Sequence, residues 1–244
     1  MLTPISPNIY ISEYEDRRDR PRLGYIHGSS LSIMIDAGAS KEHAESFLDE
    51  LALLHLPKPQ FVILTHWHWD HVFGLHALPF TSMCTHDTQQ KLIEMSQWTW
   101  DDEAMAKRIQ THEDILFCDE HIRAEYPDRS SIKVVPAQLT FEDHFNFHSG
   151  NLDIQAFKLP NDHASDSCVI LIPQERVLFL GDIISPNFHQ GEAHYTSSNL
   201  NALIQALQAL DFEIAVHGHT ELYTKASLLD ELYAEMHTLE SYAN

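Results

Sequence analysis

The sequence predicts an α/β fold, on three observations. An apolar run at residues 31–35 is followed by a helix-period pattern, and that by a second apolar run, Phe61-Val62-Ile63-Leu64. Short apolar runs return at 169–172, 177–180 and 214–216, with helical patterns before and after the last of them. Strand, helix and strand in succession is the α/β signature. There is no internal repeat and no low-complexity linker, so the 244 residues are expected to form one domain, 1–244.

Taken in order, Ile9-Tyr10-Ile11 is the first strand and residues 31–35 the second, with the charged stretch 15–20 between them read as a solvated turn. The second strand ends in Asp36-Ala37-Gly38. Ser40 is placed to cap a helix with the apolar stripe Ala44, Phe47, Leu48, Leu51 and Leu54. Pro57 and Pro59 stop that helix before residues 61–64. Residues 87–126 read as a helical insertion, with Leu92, Ile93, Met105, Ile109, Ile115, Leu116 and Ile122 as core candidates. Trp98 and Trp100 fall in a break within it; core packing is their first reading and a pocket wall the second. Strands follow at 133–135, 152–154, 169–172 and 177–180. Ser198 opens a helix with Leu200, Leu203, Ile204, Leu207 and Leu210 inward. Residues 214–216 are the last strand, and Leu228, Leu229, Leu232, Tyr233 and Met236 mark the last helix.

Charge narrows the partner. The formal charge is −21, and a nucleic-acid partner needs Lys and Arg to neutralise its phosphates, so a small-molecule substrate is expected instead. Cys84, Cys118 and Cys168 form no C-x-x-C pair and leave an odd count, which fits reduced thiols. The first residues lack the basic start and apolar core of a signal peptide, and no apolar run has bilayer length. The expectation is a cytoplasmic protein with no membrane partner.

The chemistry concentrates at Thr65-His66-Trp67-His68-Trp69-Asp70-His71, directly after a strand. Residues two apart in an extended chain point the same way, so His66, His68 and Asp70 share a face and His71 turns in as the chain bends. Three imidazoles and a carboxylate within six positions suit zinc or a similar metal. A His-rich surface loop is the plainer reading, and the density of donors argues against it.

The pattern Thr-His-x-His-x-Asp-His resembles the signature of the metallo-β-lactamase superfamily of metallohydrolases. Four more positions match in order: Asp36, His163 in Pro160-Asn161-Asp162-His163, Asp182 in Leu180-Gly181-Asp182, and His219 in Val216-His217-Gly218-His219. The resemblance implies an αββα four-layer sandwich, two mixed β-sheets with helices on the outer faces. It implies two divalent metal ions, Zn2+ first, with Mn2+ or Fe as alternatives. His66, His68 and His163 would hold one; Asp70, His71 and His219 the other; Asp182 would bridge. Asp36 would brace the motif from behind, and Asp70 would also orient a metal-bridging hydroxide. The implied function is hydrolysis of a small ester, thioester, lactone or phosphodiester.

Some substrates recede. The position of Asp182 is a thiolate or a non-ligand in the true β-lactamases, and that of His68 a glutamate in the di-iron flavoprotein branch. Glyoxalase II-like enzymes share the ligand set but add a helical domain, whereas one helix follows His219 here. Nucleases of the fold carry RNA-gripping elements that the acidic balance disfavours. Two other functions stay open: an iron-dependent oxidoreductase acting on sulfur compounds, and a metal-binding protein without turnover.

The chain departs from the family after His163, where Ala164-Ser165-Asp166-Ser167 replaces the usual Thr-Pro-Gly turn. Asp166 then caps a helix or supports His163. Trp69, between two ligands, is assigned equally to pocket lining and to the core, and Trp67 to the core. The loop 185–198 is expected over the metals, with His189, His194 and Tyr195 as groups that would hold the substrate or donate a proton, against the reading of a solvated loop. His217 competes with His219 for the last ligand position, and the Gly-His dipeptide favours His219.

Overall fold

The computed structural model describes residues 1–189 and 192–242. The first sheet runs in chain order through β1 (Thr3–Ser6), β2 (Ile9–Ile11), β3 (Gly24–His27), β4 (Ser32–Ile35), β5 (Phe61–Ile63), β6 (Thr81–Thr85) and β7 (Leu139–Phe141). Its first four strands are antiparallel; β4 to β7 pair parallel, with Ile33 beside Phe61 and Ile35 beside Ile63. The parallel part needs crossovers, and α1 (Lys41–Leu53) supplies the first. The serine expected to cap it does so, its hydroxyl accepting from the N–H of His43 at 3.1 Å. After β5 comes one helical turn, α2 (Trp69–Val72). Between β6 and β7 lie α3 (His86–Met95), α4 (Asp102–Gln110) and α5 (Leu116–Glu125).

The second sheet holds β8 (His144–His148), β9 (Asp153–Lys158), β10 (Cys168–Ile172), β11 (Val177–Gly181), β12 (Ile214–His217) and β13 (Tyr223–Thr224). Only β11 and β12 pair parallel, across α6 (Ser197–Ala209); α7 (Lys225–Tyr242) closes the described chain. Ile26, Ile33, Ile35 and Ile63 of one sheet meet Ile154, Ile170, Phe179 and Val216 of the other. The alternate residues leave by the outer faces. Met34 and Val62 pack with Phe47 and Leu51 of α1 and with Leu92, Met105 and Ile122 of the helical segment. Val169, Leu178 and Ala215 pack with Leu203, Leu207, Leu228 and Leu232. This is the αββα sandwich. Its central strands are covered on both faces, which is why they read as unbroken apolar runs.

Several expectations need correction. Residues 133–135 are not a strand; Val134 is buried, but Pro136 has no N–H for a ladder. β1, β3, β6, β7, β8 and β13 lie outside the strands the sequence predicts, so 214–216 is not the last strand. β6 (Thr-Ser-Met-Cys-Thr) is too polar for an apolar-run criterion, although β8 does carry an alternating Phe145, Phe147 signal. Thr196, not Ser198, caps α6. Ile93, Leu116, Leu54 and Tyr233 are exposed rather than core. Among the described residues, no helix is long and apolar enough to cross a membrane.

The strands converge on one rim. β4 ends at Asp36, β5 runs into His66, β11 into Asp182 and β12 into His217, and His163 stands just before β10. Residues 29 to 149 apart in sequence therefore meet where the two sheets adjoin.

Candidate metal centre

The motif divides. Beyond β5 the chain stays extended through His66 and His68, then coils into α2 at Trp69, so Asp70 and His71 leave in new directions. One group is His66, His68 and His163; the other is Asp70, His71, Asp182 and His219, with the ligating atoms of each group within 4.8 Å of one another. Asp70 therefore does not share a group with His66 and His68, as pure strand alternation predicts, because the helical turn rotates it away. Asp182 stands between the groups. Its Oδ2 is 3.4 Å from His71 Nε2, 3.3 Å from His219 Nε2 and 3.8 Å from His163 Nε2.

Asp36 builds this arrangement from below. It sits at φ 59°, a left-handed conformation that carboxylates tolerate better than most side chains. There its carboxylate accepts from Thr65 N–H at 2.7 Å, Thr65 Oγ1 at 2.9 Å and His71 Nδ1 at 2.8 Å. With the proton held on Nδ1, His71 presents its Nε2 lone pair to the site. Asp19 places a carboxylate behind His219, Oδ1 lying 3.3 Å from Nδ1, while His219 Nε2 lies 3.0 Å from Asp70 Oδ2. The charged stretch 15–20 is thus not simply a solvated turn; nothing in its local pattern distinguishes Asp19 from its charged neighbours. At Gly218 a Cβ would stand 2.4 Å from Asp182 Oδ1, so only glycine lets the backbone pass the carboxylate there.

Burial pushes the titration of His66, His68 and His163 below the usual histidine range, and the neighbouring imidazoles add to it at His66 and His68. These rings are neutral at pH 7 with free lone pairs. Burial opposes charge on His71 and His219 as well, but there the Asp70 and Asp182 carboxylates outweigh it and raise both. Burial and the nearby Asp70 push Asp19 up to about 7. Nε2 of His66, His68, His71 and His163 and Oδ1 of Asp182 are buried with no hydrogen-bond partner. Each such atom costs about 1–3 kcal/mol if left so. Four of the five are acceptors without a donor, and at the fifth, His71 Nε2, the Asp70 and Asp182 carboxylates favour positive charge, so the set fits a cation.

A family model described as metallo-beta-lactamase superfamily matches residues 24–219, well over half of the chain. The chain belongs to this superfamily. Solved structures show the same fold. A metallo-beta-lactamase from Pontibacter korlensis superposes with a TM-score of 0.68 at 18% identity, over 97% of this chain and 98% of that one. A metallo-beta-lactamase from Hirschia baltica gives 0.65 at 16%, over 97% of each chain. A stereoselective inverting sec-alkylsulfatase from Pseudomonas sp. gives 0.68 at 17%, over 96% of this chain and 40% of that one. The superfamily binds metal ions, and among the described residues these two groups could hold one.

In this member a cavity of about 290 Å³ opens above the two groups. Trp69 lines it and also packs edge-on against Phe73 at 5.8 Å, so it serves pocket and core together. His189 lines it too, 5.4 Å from the His68 ring; burial, with His163 and Lys91 nearby, lowers its pKa to about 4. His194 and Tyr195 are not brought there. His194 is turned to its own loop, Nδ1 bonding Glu192 O at 2.9 Å, and Tyr195 donates to Ile184 O at 2.8 Å within the second outer core. Residues 190 and 191 of that loop lie outside the described residues.

Trp100 is buried against Phe73 and Trp98 is half-buried, so both serve the core and neither lines this cavity. Trp67 packs half-buried on that core with Lys91 over its ring at 5.0 Å. Asp166 neither caps a helix nor touches His163. It accepts from Thr88 Oγ1 of α3 at 2.7 Å and from the Trp67 N–H, bracing the ligand loop through its middle residue. His217 lines the cavity with its tautomer set, since Nδ1 accepts the His219 N–H at 3.0 Å and the ring hydrogen is left on Nε2, 3.1 Å from Ser185 Oγ. Ile115, Phe117, Cys118 and Phe188 complete the wall. Sequence reading assigned none of these four to it, because apolar residues at helix starts and in loops carry no periodic signal.

Proposed function

We propose that the protein is a dinuclear metal-dependent hydrolase of a small ester, thioester, lactone or phosphodiester. The reading rests on one observation: five buried ring-nitrogen and carboxylate atoms without a hydrogen-bond partner lie in two adjoining groups, with Asp182 of one reaching to 3.8 Å from His163 of the other. His66, His68 and His163 would hold one divalent ion and Asp70, His71 and His219 the other, with Asp182 between them. Two such ions, zinc in first place, supply a water acidified to neutral pH and a Lewis acid for the substrate oxygen. The remaining work belongs to the chain. Asp36 holds the Nδ1 hydrogen of His71 so that it offers Nε2, and Asp19 places a carboxylate 3.3 Å behind His219 Nδ1. Asp70 has its carboxylate at the cavity floor, where it orients the attacking water. Trp69 and the α5 side chains wall the site against bulk water. His217 lines the cavity with Nε2 3.8 Å from Asp182 Oδ1, and it would supply a hydrogen to a substrate oxygen there.

The test is elemental analysis of purified protein, then turnover with the metal found. We expect two equivalents of metal and hydrolysis of at least one class in a panel of aryl esters, lactones, thioesters and bis-aryl phosphates. Asp182→Asn should cost at least a hundred-fold in kcat/KM and lose metal. Metal-replete protein that is inert across the panel would refute the reading, and bound iron with oxygen uptake on a persulfide would replace it.

A further inference from the structure

We propose that the part of the substrate remote from the bond cleaved is neutral and apolar, an acyl, alkyl or aryl tail lying along the start of α5. The inference rests on the hydrolase reading and specifies its substrate. Among the described residues, the charged side chains lining the cavity, histidines aside, are Asp19, Asp70 and Asp182, and no Lys or Arg lines it. The basic side chains around the site are engaged elsewhere: Arg22 bonds Thr220 O and pairs with Glu13 and Glu221. Arg18 and Arg20 pair with Glu15, Glu42 and Glu125, and Lys91 bonds Glu94 at 3.0 Å outside the cavity. The positive end of α5 is already met, because Asp114 accepts the Ile115 N–H at 3.0 Å and Asp119 stands in the first turn. A carboxylate or phosphate on the tail would therefore lose water beside Asp19 and gain no counter-ion. The metals answer only one charged group, the one that reacts.

The wall away from the metals is Trp69, Ile115, Phe117, Cys118 and Phe188. Phe117 is 49% exposed and Phe188 40%, so the mouth has an apolar lip that a tail would cover. The volume, about 290 Å³, sits at the lower edge of the usual range for ligand pockets, roughly 300–1,000 Å³. The occupant is short.

The experiment uses full-length, metal-replete protein and two probe series. With p-nitrophenyl esters from acetate to octanoate, kcat/KM should climb by up to roughly four-fold per methylene, the value for full burial of a CH₂, and level off once the cavity is filled. With n-alkyl hydroxamates, which chelate metal without needing turnover, affinity measured by calorimetry should climb in parallel. Phe117→Ala should flatten both series at unchanged metal content. Phe117→Arg should reverse the preference, favouring an ester whose tail ends in a carboxylate over its neutral homologue.

A flat chain-length profile in both series overturns the proposal, as does faster turnover of carboxylate-tailed esters or β-lactams by the unaltered protein. Chain-length dependence that survives both substitutions overturns the assignment to α5. If instead Phe117→Arg dissociates a dimer in sedimentation and leaves the profile alone, the lip is a self-association surface and the proposal falls. Rising hydroxamate affinity in a protein inert across the ester, lactone, thioester and phosphodiester panel would uphold the tail site and refute the hydrolase reading, so the two fail separately.

Discussion

His71 points Nε2 into the site because the Asp36 carboxylate takes the hydrogen of its Nδ1 at 2.8 Å, while the Asp19 carboxylate stands 3.3 Å from His219 Nδ1 as a charged neighbour. Such partners typically carry 10–100-fold of metal affinity. Asp19→Asn should weaken one of two metal equivalents by about that factor in a competition titration against a chromophoric chelator, leaving the other untouched. Asp36→Asn should act on both, since Asp36 also holds Thr65, the residue before His66. Equal loss of both equivalents in the Asp19 variant would show that the loop acts only through folding. Gly218→Ala tests the geometry in another way. It drives a methyl against Asp182 Oδ1 and should lower metal content while circular dichroism stays native.

At the scale of elements, the loop between β2 and β3 decides whether Asp19 is present at all. Arg20 lies buried against Glu125 of α5, at 2.8 and 2.7 Å, and Glu125 also takes the hydroxyl of Ser40, the cap of α1. Arg22 donates its N–H to Gly218 O at 2.7 Å and its guanidinium to Thr220 O at 3.0 Å, on either side of His219. Removing one partner of a buried pair costs about 3–5 kcal/mol. Glu125→Gln should lower the urea midpoint accordingly and weaken metal binding with it.

The first turn of α1 sets a pH limit. His43 is buried, its Nδ1 accepts from Ala39 N–H at 3.2 Å, and burial, then the nearby Arg20, lowers its pKa to about 3. A histidine neutral when folded and ordinary when unfolded lends its full stability above pH ~6.5, and loses it as pH falls toward 3. Burial of this one group accounts for about 2 kcal/mol of loss by pH 5. His43→Asn should show a shallower fall in unfolding free energy between pH 7 and 5; an unchanged slope would assign that fall to other groups.

For the whole molecule, the candidate ligands come from both sheets: the ends of β5 and α2 on one side, β11, β12 and the turn before β10 on the other. Metal held there would tie the sandwich halves together at one rim. Ions at a hundred times their dissociation constant stabilise by about 2.7 kcal/mol per site, which for a chain of this size is roughly 5–10 °C in Tm. Removal with a chelator should lower the thermal midpoint by that much for each ion lost, and re-addition of zinc should restore it.

The amino-acid pattern alone disclosed the strands buried on both faces, the amphipathic helices that cover them, and the donor types crowded after β5. Those properties are written in spacing: 2 for a strand, 3.6 for a helix, and ligand next to ligand in a motif. The pattern was silent on polar strands such as β6, whose place is secured by its neighbours rather than its own hydrophobicity. It was equally silent on the split of the motif at Trp69, on Asp19 meeting His219 from the far end of the chain, and on Tyr195 turning into the core instead of the cavity. Those outcomes depend on how two finished sheets and their loops pack, and a loop side chain has no period from which its direction follows.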